Sequence, residues 1–433
     1  MQTATRKNRR TKKRFPNWPL RWIVLGGFST LATAAFVLPA LSFRADKLAY
    51  ESGRWDVFLE SMLTNVMAWF VGLWIFFFGA CLGSFLNVVA YRLPNRLTLL
   101  GSSRCPYCYV PIEARHNIPI LGWFSLRGRC AACRLPISPR YFIVEIIAGI
   151  LLVWIFSIEL STGGTNLPGN QDFQIKNLFR SLFSGRLEDM LPQNWSLIRI
   201  FFIHCLVGYT ILTAALMAWD RLSIPLYWQI AHLFMVLAVI GIWPGDFLIN
   251  RWPDNPTQWF SGGMQQVGMP IFGGTAGFLL GKAFTRVSKQ KKRGLGFSFC
   301  LLGVSLGLPA MLSAGLLFIF VATLMSGVSL REKIWSFPLF GVLLSFLLQV
   351  WLWSRLDSLW FWPTSQSPPA GLLAIAGIEV LLVYLLSHAF THRHPSNKSP
   401  ELPGRGCSKP NSLEPVSETT LPDDPRSDAE ELQ

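Results

Sequence analysis

The chain has 433 residues, of which 51% are hydrophobic and only 15% charged, and it carries a formal net charge of +15. A soluble protein of this length needs more charge to cover its surface, so the composition excludes an ordinary soluble domain. The basic residues come in blocks separated by long apolar stretches, a distribution that marks membrane topology rather than a nucleic-acid-binding face.

The apolar residues lie in runs rather than in amphipathic stripes. Crossing ~30 Å of hydrocarbon takes ~20 residues of helix, and about ten runs qualify: 22–42, 66–88, 142–159, 198–218, 224–243, 268–286, 296–311, 312–330, 334–353 and 371–388. The stretch 296–330 admits two short spans meeting near Leu312, or one long kinked span. The fold class expected is an all-α polytopic membrane protein of about ten transmembrane helices. Lys and Arg concentrate at 1–21, 92–140, 282–293 and 388–405, alternating with loops that have few of them. The positive-inside rule then places both termini, the 89–141 loop and the 282–293 loop in the cytoplasm. The basic N-terminus reads as the flank of an uncleaved first span, because the apolar run is long for a signal peptide and no A-x-A site follows it. From Thr391 onward the chain is rich in Pro, Ser, Glu and Asp and reads as a disordered tail. The expected organisation is 1–65 (basic N-terminus, first span, external loop), 66–88 (a span), 89–141 (a small cytoplasmic loop domain), 142–390 (a transmembrane domain) and 391–433 (the tail). No internal repeat stands out.

Four of the eight cysteines form "CPYC" (Cys105–Cys108) and "CAAC" (Cys130–Cys133). Each C-x-x-C knuckle can place two thiolates on one ion, and two knuckles complete a tetrahedral four-cysteine zinc site of the ribbon kind. A pair of disulfides is the competing reading, which a cytoplasmic placement disfavours. With four protein ligands no position stays open, so such a zinc is structural. Cys81, Cys205 and Cys300 sit singly in apolar spans, as small buried hydrophobes do.

Around this cluster, Gly83 and Ser84 are small enough for close helix approach in lipid. Asn87, inside an apolar run, needs a partner from another helix. Arg92, Arg127, Arg129 and Arg140 sit where anionic head groups would meet them. Glu145 enters a span and calls for a cationic partner, for which Arg140 is the candidate.

"GACLGSFLNVVAYRLP" (Gly79–Pro94), "RCPYC", "HNIPILGWFSLRGRCAAC" (His116–Cys133) and "PISPRYFIVE" (Pro136–Glu145) closely resemble, in this order, the N-terminal half of bacterial prepilin peptidases, or type IV leader peptidases. The resemblance is continuous over about 75–150 and has no counterpart for the first span or the tail. It implies an aspartic endopeptidase in the bacterial inner membrane. Two aspartates near the cytoplasmic face would share a proton, one acting as base on water and the other polarising the scissile carbonyl. It implies basic leader segments of prepilins or pseudopilins as substrates, and N-methylation of the newly exposed residue with S-adenosylmethionine. The lipid bilayer is the other expected partner; nucleic acid is not one.

The family's first aspartate ends an apolar span and precedes a Leu-Pro or Ile-Pro pair. In "LTAALMAWDRLSIPLYW" (Leu212–Trp228) that position is Asp220, whose plainer reading is an interfacial ion pair with Arg221. The second aspartate closes a G-x-G-D motif at the mouth of a later span. "GLGFSFCLLGVSLG" (Gly294–Gly307) stands in the corresponding place, with Ser298 at the family's Gly, Phe299 at its catalytic Asp and Leu301 at its Lys. "FPLFGVLL" (Phe337–Leu344) resembles a later family element. Phenylalanine exchanges no proton, and neither Glu332, Glu379, Asp246 nor Asp254 lies where it would stand in. Three readings follow: a working peptidase, a catalytically silent member that binds leader segments or scaffolds a pilus or secretion assembly, and an unrelated transporter. The zinc loop and the scarcity of ionisable residues in the spans disfavour the transporter.

Overall fold

The computed structural model describes residues 55–168, 187–243, 264–287, 294–326, 338–364 and 367–393. In chain order these form α1 (Trp55–Arg92), the short α2 (Leu121–Ser125), α3 (Arg140–Glu159), α4 (Leu187–Trp219) and α5 (Leu226–Ile242). There follow α6 (Met264–Val287), α7 (Leu295–Leu306), α8 (Leu308–Ser326), α9 (Pro338–Asp357) and α10 (Pro369–Arg393). Among the described residues the fold is all-helical, and the only β pairing is two isolated bridges in the cysteine loop. Among the described residues, four stretches are long and apolar enough to cross a membrane: Ala68–Arg92, Arg140–Glu159, Trp195–Trp219 and Pro338–Asp357. The expected runs other than 22–42, which lies outside the described residues, fall on these helices, except that 296–311 is divided between α7 and α8 and that residues 327–330 and 334–337 lie outside the described residues. Most of the expected tail, residues 394–433, also lies outside them. The helix α1 already includes Trp55, so part of what reads as an external loop from sequence is helix.

α4 is the axis of the bundle: 89% of its apolar window is buried, against 33% for Ala68–Arg92. In lipid, where apolar burial gives helices little reason to associate, close backbone approach does much of the holding. α1 meets α3 where a Cβ on Gly83 would stand 2.6 Å from the Ala148 Cβ, and one on Gly79 2.9 Å from the Ala148 carbonyl oxygen. The Asn87 amide finds its partner across this interface, donating to the Tyr141 carbonyl at 3.3 Å. α6 and α7 run antiparallel and closer still. A Cβ on Gly277 would lie 2.1 Å from the Phe299 carbonyl oxygen, and one on Gly273 2.4 Å from that of Gly303.

The ambiguous stretch 296–330 resolves into two helices, with the break at Gly307 rather than near Leu312. Gly307 has φ 84°, ψ 169°, a conformation few side chains tolerate. Phe299 and Phe318 lie on opposite sides of it and would be ~28 Å apart on one straight helix. Their ring centroids are 6.0 Å apart, so the chain doubles back. α7, with 12 residues, rises only ~18 Å and turns before it can cross the hydrocarbon. α8 then pairs antiparallel with α9, through Ser313 donating to Gln349 Oε1 and Gly341 against the Phe318 ring.

Candidate metal centre and carboxylate site

Between the end of α1 and the start of α3 the chain repeats itself, which the sequence reading did not catch. "SRCPYCYVPI" (Ser103–Ile112) and "GRCAACRLPI" (Gly128–Ile137) share R-C-x-x-C-x-x-P-I, and each forms the same turn. The Cys105 and Cys130 amides donate to the Val110 and Leu135 carbonyls at 3.1 and 2.9 Å. Those of Tyr109 and Arg134 donate back to the Cys105 and Cys130 carbonyls at 2.9 and 3.0 Å. Tyr109 (φ 58°) and Arg134 (φ 60°) take the same left-handed conformation. The bridges Arg104–Pro111 and Arg129–Pro136 close the two knuckles alike. The signal is short and its internal residues differ, so periodicity searches at the scale of whole spans pass over it.

Facing knuckles bring the four sulfurs together. Cys105 and Cys133 Sγ are 3.9 Å apart, as are those of Cys108 and Cys130, and all four lie within 4.8 Å of one another. A disulfide needs ~2.05 Å, which removes the disulfide reading. A metal held tetrahedrally with metal–sulfur bonds of ~2.3 Å requires sulfur–sulfur edges of ~3.8 Å, so the donor set fits such an ion. Amides of Cys133 and Ala132 hold the Cys130 thiol down at about 6. At Cys133 the Leu135 amide acts the same way, but burial and the neighbouring sulfurs outweigh it and push the thiol up to about 11. Four such groups cannot all carry charge without a cation between them.

The loop is tied to the bundle by three devices. Trp123 of α2 stacks on Phe142 of α3 (centroids 5.3 Å, 18°), and Phe124 meets the same ring edge-on at 5.1 Å. Arg92, expected at lipid head groups, instead directs its guanidinium at the loop carbonyls of Thr98, Leu99, Leu100 and Ser102 at 3.3–3.5 Å. Ile120 adopts φ 64°, ψ −56°, a γ-turn closed by the Leu121 amide on the Pro119 carbonyl at 2.6 Å. A β-branched residue resists this conformation. Its amide donates to Glu145 Oε2 at 2.7 Å. Glu145 is therefore held by a backbone N–H, not by Arg140 as expected from the sequence.

Arg140 faces elsewhere. Its Nη2 lies 2.8 Å from Asp220 Oδ2, an ion pair with side chains 22% and 25% exposed. The partner read from sequence for Asp220 was Arg221, which instead turns the chain at φ 60°. Asp220 directly follows α4, and the segment leading to Pro225 brings Ile224 against Gly294: a Cβ there would stand 2.7 Å from Ile224 Cδ1. Gly294 (φ 117°) caps α7, so the mouth of α7 adjoins the Asp220–Pro225 turn. Phe299 is wholly buried and meets Phe284 of α6 and Phe318 of α8 edge-to-face, with centroids at 5.3 and 6.0 Å. Ser298 is equally buried, and its hydroxyl finds no partner among the described residues. Glu379 lies against Gly315, with neither carboxyl oxygen paired among the described residues. Glu332, Asp246 and Asp254 lie outside them. Sequence reasoning passed over a further buried pair, Glu159 with His204 Nδ1, which bolts α3 to α4. An ionisable residue inside each of two apolar spans is the signal that could have found it.

Residues 77–158 match the bacterial peptidase A24 N-terminal domain. The chain is similar to prepilin leader peptidase/N-methyltransferases: 46% identical over 78 residues to that of Myxococcus xanthus, 36% over 116 to that of Aeromonas hydrophila, and 43% over 89 to that of Klebsiella pneumoniae. These alignments take in 18%, 21% and 19% of this chain, and 23%, 40% and 39% of the relatives, so the chain spans well under half of the curated proteins it matches. No solved structure matches it. The family domain covers α3, nearly all of the cysteine loop's supports and the loop itself, and stops before Asp220 and Phe299. Residues 77–158 of this chain are thus similar to the N-terminal domain of bacterial A24 peptidases and to the corresponding part of prepilin leader peptidase/N-methyltransferases.

Proposed function

We propose that the chain is a catalytically silent member of the prepilin leader peptidase family, a multi-pass protein of the bacterial inner membrane with cytoplasmic termini. It retains the scaffold that receives basic leader segments of prepilins or pseudopilins, and it acts as a binding or scaffold protein in pilus or type II secretion assembly. Asp220 is the first position of the dyad and Phe299 occupies the second. The observation that carries the reading is the burial of Phe299 between Phe284 and Phe318, a dry phenyl cluster with no group to share a proton. The ion pair with Arg140 favours the same reading, because it engages the Asp220 side chain that a catalytic dyad would need free for water. Loss of one member of a coupled catalytic set lowers a rate by about 10⁴-fold or more.

The metal of the four-cysteine site is zinc, and its role is structural: Cys105, Cys108, Cys130 and Cys133 fill a tetrahedral shell and leave no position for water or substrate. Bound there, it supplies folding energy to a loop with little core of its own. The relatives' name includes N-methyltransferase, a step for which S-adenosylmethionine would be the methyl donor, and methyl transfer is measured as a separate arm.

The test incubates the purified full chain with a basic-leader prepilin peptide and follows cleavage and methyl transfer. The expected result is peptide binding without cleavage, and cleavage gained by Phe299→Asp combined with Ser298→Gly. Cleavage by the wild type that Asp220→Asn abolishes would refute the silent reading. A double variant that folds, binds peptide and still cleaves nothing would refute the assignment of Phe299 to the dyad position.

A further inference from the structure

An open groove of about 1310 Å³ lies between α1, α3 and α9, in the half of the bundle away from the cysteine loop. Most of its wall residues belong to three of the four stretches apolar enough to cross a membrane. Its chemistry changes along its length. Leu73, Phe76, Ile150 and Val153 line its apolar part. Towards the ends of α3 and α9 come Trp154 and Trp351, edge-to-face at 5.6 Å, as aromatic side chains gather at the level of the head groups. Beyond them the lining turns polar with Thr165, Asn166, Ser354 and the exposed cation Arg355.

One side chain at this polar end is left incomplete. Asn166 is 7% exposed; its Nδ2 donates to the Val350 carbonyl at 2.8 Å, and its Oδ1 has no donor among the described residues. A buried amide oxygen without a donor is costly, and it lies on the wall of a groove that already offers a cation.

We propose that the groove is a binding site for one anionic glycerophospholipid whose head group carries hydroxyls, as that of phosphatidylglycerol does. The acyl chains lie on the apolar walls, the phosphate meets Arg355, and a head-group hydroxyl donates to Asn166 Oδ1. An apolar helix would fill the deep part equally well but would leave both polar groups unanswered. Gly72 supplies a probe, since it lines the groove and a Cβ there would meet nothing within 4 Å.

The full chain would be extracted in mild detergent, supplied with phosphatidylglycerol and phosphatidylcholine in equal amounts, and weighed intact by native mass spectrometry. One phosphatidylglycerol per chain is expected to be retained. Gly72→Phe, whose Cβ meets nothing within 4 Å and whose ring would enter the groove, is expected to lose it while keeping its helical circular dichroism. Arg355→Gln is expected to lower the preference for the anionic lipid about fivefold, the worth of one arginine near a phosphate. Absence of retained lipid in the wild type, equal retention of both lipids, or retention undiminished in a folded Gly72→Phe variant would each overturn the proposal. A photoreactive residue at position 72 that cross-links to residues 22–42 instead of lipid would assign the groove to that segment.

Discussion

The guanidinium of Arg140 leaves the first turn of α3 and meets Asp220 at the end of α4, 80 residues further along the chain. The pair is about three-quarters buried, so it is screened less than a surface salt bridge, and removing either member strands the other in a poorly hydrated place. Arg140→Ala is expected to lower stability by roughly 1–3 kcal/mol. Asp220→Ala should lose a similar amount, and the double variant less than the two together. A double-mutant cycle in detergent, read by thermal unfolding, measures the coupling; strictly additive losses would deny the pair any energetic role. Glu145 shows the same economy, since its carboxylate stabilises the left-handed turn at Ile120 instead of meeting the nearest arginine. Charge complementarity along the sequence nominates several partners, and only the direction of each helix selects among them.

At the level of elements, the α6–α7–α8 unit rests on the absence of side chains. Gly273, Gly277 and Gly281 present one face of α6 to α7, and at Gly277 the neighbour is the Phe299 carbonyl, which cannot move without bending its helix. Gly277→Leu is therefore expected to force α6 and α7 apart and to abolish accumulation of folded protein. Gly241→Leu, where a Cβ meets nothing within 4 Å, should be tolerated. Size-exclusion profiles of the two variants in detergent check this; a monodisperse Gly277→Leu variant with wild-type unfolding temperature would contradict the packing described. The reversal at Gly307 belongs to the same unit, because it returns Phe318 to the depth of Phe299 and closes the three-ring cluster with Phe284.

Across the whole molecule, the metal centre and the bundle are linked through few contacts, chiefly Trp123 on Phe142, the Arg92 fan and the Glu145 bond. Stripping the ion should then melt the loop while leaving the helices in place. Treating the full chain with a strong chelator is expected to open residues 95–140 to limited proteolysis with little loss of helical circular dichroism. Continued resistance of a metal-free chain would mean that the loop folds without the ion.

The amino-acid sequence by itself pointed to an all-helical chain of apolar spans, to most of the helix positions and to the four cysteines that cluster. Each of these depends on local composition or short spacing: apolar runs long enough for hydrocarbon, and two C-x-x-C knuckles whose thiolates need one another. The family domain was legible for the same reason, as contiguous motifs from Gly79 to Glu145. Only the tertiary structure decided that α7 stops short and doubles back at Gly307, that Arg140 rather than Arg221 holds Asp220, and that Glu159 and His204 find each other inside the bundle. Those outcomes depend on which helix faces align, and in an all-apolar span no hydrophobic periodicity records the facing side. Phe299 spans both cases: its place in "GLGFSF" is visible in the chain, whereas its enclosure by Phe284 and Phe318 required the fold.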